Sequence, residues 1–252
     1  MYCEAAPGPR LSAFVERLCF SSDDAPGAPP AVRVVPDGAV DLLFSAAAAG
    51  GACSAELFGL KTRALLVATP DSRDNVLLRL RPGAVARLFG VAAHELTDRA
   101  LPLRELVGAP ADAWRERVAG ARSPAERRAV LERELGGWCA RRARAEDAEH
   151  ALAERAAAAL RRSSGARRIA ALAESLGVGE RRLERVFRAR IGVTPKRFAA
   201  ILRFAAAYRA LAAGAGPLAA ALAHGYFDQA HLNRDFRRLA GAPPRRIFPS
   251  PR

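Results

Sequence analysis

The chain has 252 residues, half of them hydrophobic, and a formal net charge of +14. This length is typical of two domains, and the hydrophobic content excludes an extended disordered protein. Residues 1–150 carry 20 basic and 20 acidic side chains, whereas residues 151–252 carry 20 basic and 6 acidic ones. Acidic substrates, membrane surfaces and nucleic acids all remain open as partners of the basic part, and a polyanion is the first expectation.

The first part of the chain alternates turn signals with short apolar runs. Pro36-Asp37-Gly38 predicts a turn before a strand over 39–44, and further strands are predicted over 64–68 and 76–80. After Arg81-Pro82-Gly83 the apolar spacing becomes helical. Helices are predicted over 110–119 and 124–142, the second with Ser123 as its N-cap. The pattern indicates an α+β domain over residues 1–145, and the charged segment 141–149 is the candidate connection to the rest.

The C-terminal part contains an internal repeat with a constant offset of 49 residues. The first copy of the pattern L-x-R-x-F-x4-G-x-x-P comprises Leu183, Arg185, Phe187, Gly192 and Pro195. The second copy comprises Leu232, Arg234, Phe236, Gly241 and Pro244. Five matches at one offset predict two equivalent helical units.

Each copy is predicted to form a helix-turn-helix unit. In the first unit, a helix over 167–176 precedes a second helix over 180–190. In the second unit, a helix over 218–223 precedes a second helix that Asp228 can cap. A long helix over 195–211, about 25 Å in length, joins the units. Such a connector could present both second helices to major-groove segments about 34 Å apart.

The outward faces of the two second helices are the candidate DNA-reading surface. In the first unit this face comprises Arg181, Glu184, Arg185 and Arg188. In the second it comprises Ala230, Asn233, Arg234 and Arg237, with Gln229 beside them. Asn and Gln can read adenine and Arg can read guanine. The alternatives are a solvated helix face and, for Arg185 and Arg234, a bond to a neighbouring carboxylate.

Residues from about 150 to 250 closely resemble the DNA-binding domain of AraC/XylS-type transcriptional regulators. The motifs that carry the resemblance are Ile169-Ala-Ala-Leu-Ala173, Leu183-x-Arg-x-Phe187, Gly192-Val-Thr-Pro195, Gly225-Tyr-Phe-Asp-Gln-Ala-His-Leu-Asn-Arg-Asp-Phe236 and Gly241-x-x-Pro244. The resemblance covers about 40% of the chain and implies an all-α domain of seven helices. It implies base contacts from Arg181, Glu184, Arg185, Gln229, Ala230, Asn233 and Arg234. Two positions depart from the pattern: Glu184 puts a carboxylate near phosphates, and Ala230 offers only apolar contact.

The N-terminal part resembles, less specifically, sensor domains attached to a subset of these regulators. The resemblance rests on the Pro-Asp-Gly turn before a strand and the Arg-Pro-Gly turn before a helix. A cupin-like barrel, effector sensing, and pure dimerisation or scaffolding all stay open for this part. The expected function is a sequence-specific, non-enzymatic regulator of transcription, such as an activator, with double-stranded DNA as its partner. RNA polymerase, a small-molecule effector and a second copy of the chain are further partners that the resemblance allows.

A DNA-repair alkyl-transfer protein and a nonspecific architectural DNA binder are the alternative functions. Against the first, Cys3, Cys19, Cys53 and Cys139 form no C-x-x-C pair and have no nearby His, which predicts reduced thiols and no metal site. No cofactor is expected. Neither a secretory signal nor an apolar segment long enough to span a bilayer is recognisable, so we expect a cytoplasmic protein without membrane contact.

Overall fold

The computed structural model describes residues 2–22, 31–46, 53–68, 74–142 and 147–249. The strands in these residues are β1 (Tyr2–Ala5), β2 (Val15–Ser22), β3 (Ala31–Val34), β4 (Val40–Ala46), β5 (Ser54–Phe58), β6 (Leu65–Ala68), β7 (Asp74–Leu80) and β8 (Ala100–Pro102). The helices of the N-terminal part are α1 (Ala84–Phe89), α2 (Leu103–Val107), α3 (Pro110–Gly120) and α4 (Pro124–Arg142). The helices after residue 147 are α5 (Ala148–Arg162), α6 (Ile169–Ser175), α7 (Glu180–Ile191), α8 (Pro195–Ala212), α9 (Pro217–Ala223), α10 (Gln229–Ala240) and α11 (Pro244–Ile247).

The N-terminal strands form an antiparallel sheet of six strands in the order β1-β2-β7-β4-β5-β8, beside a separate antiparallel pair of β3 and β6. A row of four leucines crosses the larger sheet, because Leu18 lies opposite Leu78, Leu78 opposite Leu42, and Leu42 opposite Leu57. All four side chains are buried. They belong to a core that also includes Trp114 and Trp138, so α3 and α4 cover this face of the sheet.

The predicted strands over 39–44, 64–68 and 76–80 are confirmed as β4, β6 and β7. Strands β1, β2, β3, β5 and β8 were not identified from the sequence, because they lack a clear period-two signal. In β2 the pairing with β7 shifts between Val15 and Arg17, and this bulge interrupts the alternation that identifies a strand. The other four strands have only three to five residues each.

The helices predicted over 110–119 and 124–142 are confirmed as α3 and α4. Ser123 begins α4 as expected, since its Oγ accepts a hydrogen bond from the backbone N–H of Glu126 at 3.2 Å. Asp147 does the same for α5 by accepting from the N–H of His150 at 2.7 Å. Part of the predicted connection, residues 143–146, lies outside the described residues.

Two apolar cores correspond to the two parts of the chain. The buried residues of the first lie between Leu11 and Cys139. Those of the second lie between Leu152 and Ala240, with the single addition of Leu60. Val35 and Val40 also pack against the second core, so the N-terminal part touches the C-terminal part over an apolar surface. In the described part of the chain, no helix combines the length and apolar content needed to cross a membrane.

Candidate nucleic-acid interface

The repeat folds as two helix-turn-helix units joined by a long helix, as predicted. The first unit consists of α6 and α7, the second of α9 and α10, and α8 connects them. We call α7 and α10 the recognition helices. Asp228 caps α10 as expected, because its carboxylate accepts from the N–H of His231 at 2.6 Å. Both recognition helices end at the repeated glycine, since Gly192 and Gly241 have φ angles of 109° and 78°, which a residue with a Cβ rarely adopts.

The repeated Leu and Phe positions anchor the recognition helices on α8. Leu183, Phe187, Leu232 and Phe236 are completely buried. Phe187 packs edge-to-face on Phe198 of α8, with ring centroids 5.3 Å apart. In the same way Phe236 packs on Phe204 of α8, at 4.8 Å. Because each unit uses an aromatic contact with the same helix, α8 links the two recognition helices mechanically.

The predicted DNA-reading residues lie on the solvent side of these helices. The exposed members are Arg181, Glu184, Arg185, Arg188, Ala230, Arg234 and Arg237. Gln229 and Asn233 are partly buried. The structure thus groups the nine residues on two helix faces, four on the first and five on the second. Arginine predominates, which is the composition expected for contact with phosphates and guanine.

The two equivalent arginines of the repeat, Arg185 and Arg234, differ in whether a carboxylate lies beside them. Arg185 lies 3.5 Å from Glu149, but its side chain is 72% exposed. An ion pair at such an exposed position contributes about 0–1 kcal/mol, so DNA could displace Glu149 readily. In the described residues neither Arg234 nor Glu184 forms an ion pair. Glu184 therefore pairs with neither Arg181 nor Arg188, its arginine neighbours on the same face.

The C-terminal ends of both recognition helices are held by the N-terminal part. The Thr97 hydroxyl donates to the carbonyl of Gly192, which follows α7, at 2.8 Å. The backbone N–H of Ala64 donates to the carbonyl of Leu239 in α10 at 2.7 Å, and Arg33 donates to that of Ala240 at 2.6 Å. The last carbonyls of a helix have no partner within it, and these bonds satisfy them. The N-terminal ends of α7 and α10 are left facing solvent.

Further polar bonds join the two parts. Arg161 of α5 contacts Glu16 at 2.9 Å and donates to the carbonyl of Gly38 at 3.2 Å. Arg197 of α8 donates to the hydroxyl of Thr62 at 2.8 Å. Nothing in the sequence identifies these pairs, because their members are 123 to 145 residues apart and follow no local pattern.

The two turns singled out in the N-terminal sequence lie at this junction. Gly38 has a φ of 79°, and a Cβ there would be 3.0 Å from the Phe198 ring. Gly83 has a φ of 81°, and a Cβ would be 2.6 Å from the His150 ring. Both turns therefore need glycine for two reasons, the left-handed backbone and the close approach of a buried ring from the C-terminal part.

The cysteines have environments that differ in exposure. Cys3 is exposed, Cys19 and Cys53 are partly buried, and Cys139 is buried. Burial raises the pKa of the Cys139 thiol to about 12, which keeps it protonated at neutral pH. Since the thiolate is the nucleophilic form, Cys139 is poorly suited to accept an alkyl group.

Comparison with known proteins gives a match for each part of the chain. Residues 172–249 match the model of a helix-turn-helix domain, and residues 3–102 match a domain of unknown function, DUF6597. No curated protein matches the sequence.

Several solved structures of ToxT from Vibrio cholerae are similar to the chain at low sequence identity. ToxT from strain SCE256 bound to an unsaturated fatty acid is 11% identical, with a TM-score of 0.47, over 98% of this chain and 93% of that one. ToxT from strain O395 bound to (E)-4-(8-methylnaphthalen-1-yl)but-3-enoic acid is 10% identical, with a TM-score of 0.48, over 98% of both chains. At its C-terminus, behind a DUF6597 domain, the chain carries a helix-turn-helix domain of the AraC type.

Proposed function

We propose that this protein regulates transcription by inserting α7 and α10 into successive major-groove segments of one DNA site. Its helix-turn-helix domain is that of a sequence-specific DNA-binding transcriptional regulator. The observation that supports the two-helix mode is the repeat itself. It gives two recognition helices with exposed basic faces, both packed on one connecting helix and bonded by the N-terminal part at their C-terminal ends.

The proposed contacts follow from the chemistry of each side chain. Gln229 and Asn233 would read adenine, and Arg185 and Arg234 would read guanine. Arg181 lies in the first turn of α7, where it can reach a base edge or a phosphate. Arg188 and Arg237, further along the exposed faces, would contact phosphates and supply affinity rather than specificity.

Ala230 and Glu184 are the two positions of the proposed surface that can make only one kind of base contact. Ala230 has only a methyl group, and it fits against the C5 methyl of thymine. Glu184 would accept a hydrogen bond from cytosine N4, because no arginine neutralises it in the described residues. A Glu184→Gln variant should therefore change base preference at one position more than it changes overall affinity.

We propose a division of labour between residues 1–145 and residues 150–252. The first would form a sensor or dimerisation domain, and the second the DNA-binding domain. A small-molecule effector, RNA polymerase and a second copy of the chain are the proposed partners besides DNA, and the proposed location is the cytoplasm. The contacts from the N-terminal part to both recognition helices give an effector a physical route to the DNA-binding surface.

Selection of bound sequences from a random DNA pool by the full chain tests the proposed function. The expected result is an enriched motif of two short elements whose centres are about 10 base pairs apart, one turn of the double helix. A pool that binds without any enriched motif would indicate a nonspecific architectural protein instead. A motif with a single element would contradict the use of both recognition helices.

A further inference from the structure

A small cavity lies on the N-terminal part, between the segment after β5 and the segment that leads into β8. Its volume is about 80 Å³. The residues that matter to its chemistry are Phe58, Lys61, Arg63, Leu65, Asp98 and Arg99. Ligand pockets for whole drug-sized molecules measure about 300–1,000 Å³, so this cavity suits the headgroup of a ligand rather than all of it.

The cavity wall has an excess of positive charge. Both carboxylate oxygens of Asp98 accept hydrogen bonds from Thr62, one from its backbone N–H and one from its hydroxyl. In the described part of the chain, none of the three cations Lys61, Arg63 and Arg99 forms an ion pair within 4 Å with a carboxylate. The wall therefore has three cations against one carboxylate that is already occupied.

Lys61 is the most confined of these cations. Its ammonium group lies 5.2 Å from the centre of the Phe58 ring. Burial lowers the pKa of Lys61, an effect that the carboxylates of Asp41, Asp37 and Asp98 oppose. Holding a desolvated cation without a paired anion is unfavourable, and an anion in the cavity would relieve that cost.

The rest of the wall is apolar and partly open to solvent. Phe58 lines one side, and Leu65, on the other side, is 45% exposed. An apolar body attached to the anionic group would cover these side chains and be stabilised by about 25 cal/mol per Å² of apolar surface removed from water.

We propose that this cavity binds an organic carboxylate, with the carboxylate between Lys61, Arg63 and Arg99 and its apolar body against Phe58 and Leu65. The carboxylate would accept charge-assisted hydrogen bonds from the arginines and the lysine. Carbon atoms beyond the headgroup would lie across the open side, over Leu65.

The position of the cavity gives its occupant a route to the DNA-binding surface. Lys61, Arg63 and Leu65 alternate with Thr62 and Ala64 along one segment. Thr62 accepts the hydrogen bond from Arg197 of α8, and Ala64 donates to Leu239 of α10. A ligand that shifts this segment changes both bonds. The effector role rests on the proposed function, whereas the binding site stands without it.

Titration calorimetry of the full chain with octanoate, benzoate and inorganic phosphate tests the site. We expect saturable one-to-one binding of both carboxylates and at least tenfold weaker binding of phosphate, which lacks an apolar body. Lys61→Met should weaken carboxylate binding at least tenfold, and Arg63→Gln, at an exposed position that folding tolerates, at least threefold. Lys196→Met, an exposed lysine on α8, is the control and should leave ligand binding unchanged.

Three results would overturn the site: no carboxylate binding, equal binding by the Arg63→Gln and wild-type chains, or phosphate binding as tight as that of octanoate. The effector role is tested by fluorescence anisotropy with the selected DNA. Saturating octanoate should shift the DNA dissociation constant at least threefold, and Lys61→Met should abolish the shift. If octanoate binds but the DNA affinity stays constant, the effector role is wrong. A chain that binds octanoate but no specific DNA would instead contradict the proposed function.

Discussion

At the scale of single residues, glycines decide how closely the two parts of the chain approach. Gly83 turns the chain into α1 with a φ of 81° and a ψ of −11°, and the ring of buried His150 occupies the space of a side chain. Gly241 ends α10 with nearly the same backbone angles, 78° and −4°. Its would-be Cβ meets its nearest neighbour, Arg33, only at 3.7 Å. A comparison of substitutions at Gly83 and Gly241 therefore separates the cost of backbone strain from the cost of crowding a side chain against its neighbours.

We predict that Gly83→Ala destabilises the chain more than Gly241→Ala does. Both substitutions carry the left-handed strain of about 1–2 kcal/mol. Gly83→Ala must also displace the His150 ring, and forcing an extra methyl into a packed site costs about 1–3 kcal/mol more. Urea unfolding monitored by circular dichroism gives the comparison. Equal losses of unfolding free energy would show that the His150 ring moves aside without cost.

The arginines of α10 provide a second prediction at this scale. Arg234→Ala should weaken binding to the selected DNA by about 1–3 kcal/mol and relax specificity at one position. Arg238→Ala is the matched control on the same helix, since Arg238 pairs with Asp235 at 2.8 Å and is not among the predicted reading residues.

Competition assays with DNA sites that differ at single positions measure both effects of Arg234→Ala. Arg238→Ala should retain the base preference of the wild-type chain. A uniform loss across all sites in Arg234→Ala would identify Arg234 as a phosphate contact, and the assigned role in reading guanine would be wrong.

At the scale of elements, the recognition helices are bonded at their C-terminal ends by residues of the N-terminal part of the chain. The carbonyls at the end of α7 and α10 are orphaned by helix geometry, and Thr97, Ala64 and Arg33 provide donors for them. In many helices the residues that follow the last turn donate hydrogen bonds to its free carbonyls. Here the N-terminal part of the chain donates them at the ends of both α7 and α10. Phe198 and Phe204 of α8 pack against α7 and α10, respectively. A displacement of one recognition helix can therefore move the other through α8.

We predict that Arg33→Gln loosens the last turn of α10 because the carbonyl of Ala240 loses its donor. Amide hydrogen exchange in the final turn of α10 should accelerate about three- to tenfold, which corresponds to a net hydrogen bond of about 0.5–1.5 kcal/mol. Exchange in α7 should change much less, since Thr97 still serves that helix. Arg17→Gln is the control, because the side chain of Arg17 is 41% exposed and pairs with Glu4 and Glu16 rather than with α10. Unchanged exchange in α10 would show that solvent replaces Arg33.

At the scale of the whole molecule, charge and shape are divided between the two parts. The excess of 14 positive charges lies after residue 150, while the first 150 residues are neutral overall. The N-terminal part meets the C-terminal ends of the recognition helices, so it lies away from their N-terminal ends, where Arg181, Gln229 and Ala230 are. A neutral N-terminal part placed there would not compete with DNA for the same surface.

We predict a strong dependence of DNA binding on salt. If six phosphates are contacted, the logarithm of the association constant should fall with the logarithm of salt concentration with a slope of about −5. Arg188→Ala together with Arg237→Ala should reduce the magnitude of the slope by about 2, one for each lost phosphate contact. Anisotropy titrations at several salt concentrations measure these slopes. A slope that the double substitution leaves unaltered would place both side chains away from the phosphates.

The sequence by itself determined the local features of the fold. Helix starts at Ser123 and Asp228, the ends at Gly192 and Gly241, and the buried Leu and Phe positions of the repeat were all predictable. Caps and apolar periodicity act over a few residues, so they are readable without tertiary structure. The same repeat indicated which side of each recognition helix faces outward.

Only the tertiary structure decided how the two parts meet. The bulge in β2 interrupts the period-two pattern of a strand inside the sheet, so the sequence did not reveal it. The hydrogen bond from Arg33 to the carbonyl of Ala240 joins residues 207 positions apart. The cavity at Lys61 likewise combines the ends of two separate segments. Such contacts depend on which surfaces the folded chain brings together, and no local periodicity encodes that. The sequence therefore determined the presence and outward faces of the recognition helices, whereas packing determined what holds their C-terminal ends and where the cavity at Lys61 forms.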